Sequence, residues 1–320
     1  MSVLVTGGTG ALGYHLLSIL TAAKGELHSF SDESPYPWQR WNHVQYHTGN
    51  LLNYKEVLEV LRKTKPSEVY HLASQSSVGM SYLKPYETLS TNLLGTQNLL
   101  EAVRQVVPKT RVILLSSAEI YGRGKGKLST LHTEADAPDP LTPYATSKAC
   151  MELLGNQFRN AHGMHVMTVR PFHFTGPNHS RRFALPSIAF QLIQIKQNRG
   201  EPVIFTGNLD VTRDVVDVRD LARALVVIMN TADPGETFNI CSGQSYTFRE
   251  MTEQLFMIAG LDVETRLDPS LERINDIPLL LGSGEKLMNL GWKPIIDIED
   301  SLADLYNEME QRVKRENILD

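Results

Sequence analysis

The chain has 320 residues, 42% hydrophobic and 21% charged, so it carries enough apolar surface for an ordinary core and is not a disordered chain. At roughly 150 residues per domain, the length suggests about two domains, or one large α/β domain with an appended lobe. The 31 Lys and Arg against 36 Asp and Glu leave a net charge of −5 with no long basic block, which argues against a nucleic-acid or polybasic membrane surface.

In chain order, short β-branched runs alternate with amphipathic stretches. Strands are predicted at Ser2–Thr6, Glu26–Ser31, Val44–His47, Glu68–Ala73, Arg111–Ser116 and His165–Phe172. Helices are predicted between them at Ala11–Ala23, Tyr54–Arg62, about Thr88–Val106 and about Pro143–Ala161. Strands apolar on both faces and separated by helices mean a parallel sheet covered on both sides. After about residue 175 the pattern changes to a helix at Leu185–Gln197, a strand at Val203–Thr206, βα character at Val215–Met229, then FNIC, a helix from Thr247 and a last helix from Ile298. The fold expected is α/β, a Rossmann-like doubly wound parallel sheet with a smaller C-terminal α/β substrate lobe. Residues 1–175 and 207–235 are assigned to the cofactor domain, and 176–206 and 236–320 to the lobe. Cys150 and Cys241 lack CxxC or metal-ligand spacing and are expected to be buried free thiols. With no presequence pattern and no apolar run of about 18 residues, the expected location is the cytoplasm, away from membranes.

Thr6-Gly-Gly-Thr-Gly-Ala-Leu-Gly13 follows the first strand and opens the first helix. Gly7 allows a tight turn, Gly10 lets the backbone approach a pyrophosphate, and Gly13 lets helix and strand pack closely, with the helix N-terminus supplying N–H donors. Asp32, nineteen residues beyond Gly13, stands where a carboxylate accepts from the adenosine ribose and disfavours a 2′-phosphate, which leans toward NAD(H) over NADP(H). Ser116 and Ser117 arrive at the carboxyl edge of the predicted sheet. Tyr144 and Lys148, at i,i+4 spacing, share one face of the helix that follows. A free phenol titrates near 10, and an ammonium one turn away favours its anion, so the pair suits proton transfer with Ser117 orienting a substrate oxygen.

TGGTGALG, SSAEIYG, YATSK and RPFHFTGP, in that order, resemble the extended short-chain dehydrogenase/reductases that act on nucleotide sugars, also called the NAD-dependent epimerase/dehydratase family. The resemblance runs from residue 2 to about residue 312. It implies that Ser117, Tyr144 and Lys148 are catalytic and that Glu119 occupies the position of a dehydratase base. It implies cofactor contacts, to NAD(H) or NADP(H), at Gly7, Gly10, Ala11, Leu12, Gly13, Asp32, Asn50, Leu51, Leu72, Ala73, Asn92, Tyr144 and Lys148. The segments His71–Ala102 and Arg213–Ala224 and the C-terminal DPSLERINDIPLLLGSGEKLMNLGWKP are similar to the GDP-4-keto-6-deoxy-D-mannose reductase branch and its neighbour, the 4,6-dehydratases. That similarity places Gln75, Ser76, Ser117 and His173 by the substrate, with Arg213 and Arg273 as cations for a diphosphate. His173 stands where the family usually has Asn, and Asn50 where many relatives have Asp.

The implied function is reduction of the 4-keto group of a nucleotide-6-deoxyhexose, GDP-4-keto-6-deoxy-D-mannose above all, to a GDP-rhamnose type product. The alternatives are a GDP-mannose 4,6-dehydratase or a 4-epimerase and, more remotely, a non-catalytic dinucleotide sensor. A homodimer is implied by the resemblance; a metal, nucleic acid or membrane partner is not.

Overall fold

The computed structural model describes residues 1–22, 25–123, 131–272 and 276–319, and the side chains up to residue 316. Its main sheet has seven parallel strands: β1 (Ser2–Thr6), β2 (Glu26–Ser31), β3 (Val44–Thr48), β4 (Glu68–His71), β5 (Arg111–Leu115), β6 (His165–Pro171) and β10 (Thr237–Ile240). Their spatial order is β10-β6-β5-β4-β1-β2-β3, so the winding direction reverses between β1 and β4. In open parallel sheets that reversal opens a crevice beyond the carboxyl ends of the strands, where ligands bind.

Helices cover both faces, which is why β1 and β5 are apolar almost throughout. On one face α1 (Ala11–Thr21) and α8 (Val218–Thr231) pack together through Leu12, Leu16, Leu221 and Leu225. On the other, α2 (Tyr54–Thr64), α5 (Gly95–Val106) and α6 (Pro143–His162) bury Val57, Leu99, Val103 and Phe158. Between α2 and α5 lie the short helices α3 (Val78–Leu83) and α4 (Pro85–Leu89), and α4 runs through a π-helical turn at Ser90–Leu94 into α5.

The lobe has its own core, in which α7 (Ala184–Lys196), α9 (Phe248–Ala259) and α11 (Ile298–Leu319) pack Leu192, Leu255, Leu302 and Met309 together. Strands β7 (His173–Thr175), β9 (Thr212–Asp217), β11 (Ser245–Thr247) and β13 (Leu279–Leu280) form a small sheet centred on β9, and β8 (Val203–Thr206) pairs with β12 (Glu264–Leu267). The short α10 (Glu285–Met288) precedes α11.

Three features differ from the sequence reading. The run His165–Phe172 does not end the strand path: it breaks at Phe172, and β7 crosses into the small sheet to pair with β9. The segment assigned to the cofactor domain at 207–235 contributes α8 to the main layers, whereas β9 belongs to the small sheet. The strand that returns to the main sheet is β10, inside the stretch assigned to the lobe. An apolar strand reads the same whichever sheet it joins, so the pattern cannot locate such crossings. Cys241 is buried as expected, while Cys150 is half-buried on α6. Among the described residues no helix is long and apolar enough to cross a membrane.

Candidate active site

The glycine turn lies directly at the winding reversal. Gly7 has φ +72°, in the left-handed region open mainly to glycine, and a Cβ there would stand 2.7 Å from the Ala73 nitrogen at the end of β4. A Cβ on Gly13 would stand 2.3 Å from the Gly7 carbonyl oxygen, so the turn and the first helical turn close on each other only without side chains. Helix α1 starts from Gly10 with no side-chain cap and no acidic residue in its first turn. Its first N–H groups, on Ala11, Leu12 and Gly13, therefore carry the positive end of the helix dipole toward the crevice. A close-packed glycine cradle under an uncapped helix N-terminus fits the pyrophosphate of a dinucleotide.

The proton-transfer groups come from two neighbouring elements. Beyond β5, Ser117 turns the chain into a short 3₁₀ helix, Ala118–Tyr121, and its Oγ accepts the Glu119 N–H at 3.2 Å. Helix α6 begins with Thr142 as N-cap, its Oγ1 accepting from the Ala145 N–H at 3.0 Å, and with Pro143 in the first turn. That start places Tyr144 in the first turn, and Lys148 follows one turn later. The Tyr144 phenol hydrogen-bonds Ser117, and the Lys148 ammonium donates to the Leu115 carbonyl at 2.7 Å, tying the helix to the strand that delivers Ser117.

Both groups are buried, and burial dominates their acidity. Desolvation, with the charge of Glu119 adding to it, pushes the Tyr144 phenol well above the usual 10, against the Ser117 hydrogen bond. Desolvation also lowers Lys148 to about 7, opposed by Glu152 one turn further along α6. Glu152 is itself gripped by Arg170, whose Nη2 and Nε donate to it at 2.7 and 3.0 Å. The site thus holds a protonated phenol beside an amine poised near neutrality.

The other expected residues fall into three groups. Asp32, just beyond β2, is exposed at the edge of the crevice, and Leu51, Leu72 and Ala73 line the ends of the neighbouring elements. Asn50 is exposed, but its Oδ1 already accepts the Leu52 N–H at 2.9 Å. Ser76 is exposed and Glu119 half-buried; His173, on β7, is half-buried edge-on to Phe248 at 5.2 Å between ring centres.

A second group faces the protein itself. Gln75 directs its amide into its own loop, with Nε2 donating to the Ser77 carbonyl at 3.0 Å and to Thr88 at 2.8 Å, and Oε1 accepting the Ser77 N–H. Asn92 is fully buried: its Nδ2 donates to the Gln75 carbonyl and to Ser147 Oγ, and its Oδ1 accepts the Gln75 N–H. Both residues, expected at the ligand, brace the loop behind it, because amide side chains can close a turn and bracket a helix as readily as they meet a ligand. Arg213 is buried, with Nη1 donating to the Ile277 and Thr212 carbonyls and Nη2 paired with Asp276 at 3.2 Å. The third group is Arg273, which lies outside the described residues.

Sequence reasoning missed His71, Thr96 and Ser147, buried polar residues that join these elements, and the Glu152–Arg170 pair. The available signal was a histidine inside the strand segment EVYHLA and a serine inside the Tyr–Lys turn.

Residues 4–305 match the family model described as GDP-mannose 4,6 dehydratase. A GDP-6-deoxy-D-mannose reductase from Pseudomonas aeruginosa is 34% identical over 98% of both chains. A GDP-6-deoxy-D-talose 4-dehydrogenase from Aggregatibacter actinomycetemcomitans is 31% identical over 91% of each. The solved structure of RMD from Pseudomonas aeruginosa complexed with NADPH matches with a TM-score of 0.83 at 32% identity, over 98% of this chain and 100% of that one.

Proposed function

The chain belongs to the GDP-mannose 4,6-dehydratase family, and from that premise we propose that it reduces the 4-keto group of a GDP-linked 6-deoxyhexose, GDP-4-keto-6-deoxy-D-mannose first, at the expense of NADH or NADPH. The observation that carries this reading is the Ser117–Tyr144–Lys148 arrangement at the carboxyl edge of the sheet, beside the glycine turn.

A dinucleotide bound with its pyrophosphate at the glycine turn would supply, from its reduced nicotinamide, the hydride for C4 of the sugar. The C4 oxygen then needs a proton, and Tyr144 is the donor: burial keeps its phenol protonated, which suits the reductive direction. Ser117 orients that oxygen from the end of β5. Lys148, anchored on the Leu115 carbonyl, offsets the phenolate charge left once the proton has moved. Such positioned proton transfer is worth about 10²–10⁴ in rate. Arg213 is the cation proposed for the diphosphate, its planar fork held in place by Ile277 and Asp276. Asp32 is proposed at the adenosine ribose, and His173 at the mouth of the lobe toward the sugar nucleotide.

A second reading keeps Glu119, whose charge is felt by Tyr144, as the base of a 4,6-dehydratase. The two readings separate in one assay. Supplied with the GDP-4-keto-6-deoxy sugar, the protein should consume NADH or NADPH with loss of nicotinamide absorbance. Consumption of neither, together with conversion of GDP-mannose to a 4-keto product without added cofactor, would establish the dehydratase reading instead.

The protein is proposed to work as a homodimer. Helices α3, α4 and α6 pack on one another and expose Leu83, Tyr86, Leu89 and Leu153. Apolar side chains exposed together on neighbouring elements fit an interface. Sedimentation should give twice the chain mass, and Leu153→Glu should lower it; a monomer at working concentration would overturn the assignment.

A further inference from the structure

We propose that His71 and Thr96 form a buried positioning bridge that ties the glycine turn of the cofactor site to the helix carrying Tyr144. The proposal rests on the functional reading above, since it gives that site a second source of its geometry.

The bridge starts at Thr6, the last residue of β1 and the neighbour of Gly7. Thr6 is in register with His71, at the end of β4, and the Thr6 Oγ1 lies 2.8 Å from His71 Nδ1. On the other side of the ring, His71 Nε2 lies 2.9 Å from Thr96 Oγ1 on α5. Thr96 Oγ1 donates to the Asn92 carbonyl at 2.6 Å, one turn back. The Asn92 side chain donates to Ser147 Oγ at 2.8 Å, and Ser147 donates to the Tyr144 carbonyl at 2.7 Å.

The directions are mutually consistent. Thr96 has one hydroxyl hydrogen and gives it to Asn92, so it accepts from His71 Nε2–H. Nδ1 is then the acceptor for the Thr6 hydroxyl, and Thr6 Oγ1 accepts in turn from the Ala73 N–H at 3.3 Å. One neutral tautomer satisfies every link. Desolvation and the nearby Lys148 charge hold the ring in that form by lowering its pKa to about 3. Thr6, His71, Thr96, Asn92 and Ser147 are all buried, so the links are not exchanged for water. Asn92 also lies in the π-helical turn, where the widened backbone breaks the regular helix at the point of contact with α6. His71 and Thr96 touch neither reacting group and are positioning residues: they fix the crevice floor at Ala73 relative to the first turn of α6. A displacement of about 1 Å in such a site can cost up to 10²-fold in rate.

The test uses Thr96→Val, which keeps the side-chain shape and leaves Nε2–H unpaired, beside Thr96→Ser, which keeps the hydroxyl. Three quantities are measured on each folded variant: the Kd of NADPH and NADH from their fluorescence, kcat, and KM for the ketosugar. Thr96→Val should raise the Kd of the bound cofactor several-fold and lower kcat about tenfold with sugar KM within about twofold, and Thr96→Ser should restore both. A Thr96→Val protein with a lower melting temperature and wild-type kcat and Kd would overturn the bridge. Should Thr96→Val fail to fold, Ser147→Ala tests the other end, with unchanged kcat and Kd counting against the proposal. If the ketosugar proves not to be the substrate, the functional reading falls while the cofactor Kd still decides the bridge.

Discussion

The two halves of the crevice are prepared differently for a ligand. On the side of the main sheet, the glycine turn presents uncapped N–H groups, Tyr144 meets Ser117, and Lys148 is tied to the Leu115 carbonyl at the end of β5. On the side of the lobe, Arg213 is already engaged by Asp276 and by two carbonyls. One half is assembled before a ligand arrives; in the other, the diphosphate proposed to meet Arg213 would have to share or displace partners the protein supplies. Chemistry and cofactor binding should therefore fail sharply when the first half is altered, and substrate affinity should fail gradually when the second is.

Tyr144→Phe is the strongest challenge to this contrast. It removes the proposed proton donor and the phenol's hydrogen bond to Ser117 while keeping the ring, and kcat should fall about 10²–10⁴-fold with cofactor Kd nearly unchanged. Single-turnover kinetics with prebound NADPH would show it, and an intact rate would mean that the proton comes from another group.

The next largest effect concerns acid stability, to which one buried histidine on the main-sheet side and one on the lobe side contribute. His71 is lowered to about 3 and His179 to about 4, both by burial, against an ordinary value near 6.5. Below pH 6.5 the unfolded chain binds protons that the folded chain refuses, so stability is lost as pH falls, by about 1.4 kcal/mol per unit for each histidine down to its folded value. Denaturant titrations between pH 7 and 5 should show this slope, and a flat profile would mean that the rings are hydrated.

A smaller effect concerns the main-sheet half in the neutral range. Lys148 sits at about 7 and Glu152 opposes its loss of charge. The kcat/KM for reduction should fall as pH rises through that value, and Glu152→Gln should move the fall to lower pH. An unmoved profile would detach Glu152 from the site's electrostatics.

The mildest change belongs to the lobe. Arg213→Lys keeps the charge but loses the planar fork, and KM for the nucleotide sugar should rise about tenfold with little change in cofactor Kd. An unchanged KM would assign Arg213 wholly to its strut between β9 and residues 276–277.

What could be read in the sequence follows the same divide. The glycine turn and the Tyr–Lys pair announce themselves because their spacing lies within one turn or one helix, where local geometry is fixed by the chain itself. The helices and strands of the main sheet were legible for the same reason. The passage of β7 into the small sheet and the return of β10 to the large one were not, since each depends on pairing between strands far apart in the chain. Gln75 and Asn92 had the right composition for ligand contacts, yet Asn92 faces the Gln75 backbone and Gln75 faces Ser77 and Thr88, a choice made by packing around the π turn. His71 was hidden because its two partners lie 65 residues before it and 25 after it in the chain.

The most direct measurement is the fate of the transferred hydrogen. With cofactor carrying deuterium at the transferable position of its dihydronicotinamide ring and the GDP-4-keto-6-deoxy sugar, the reductase reading requires deuterium at C4 of the product sugar, one per cofactor oxidised. Product free of deuterium at C4, or sugar conversion with the added cofactor left reduced, would contradict it.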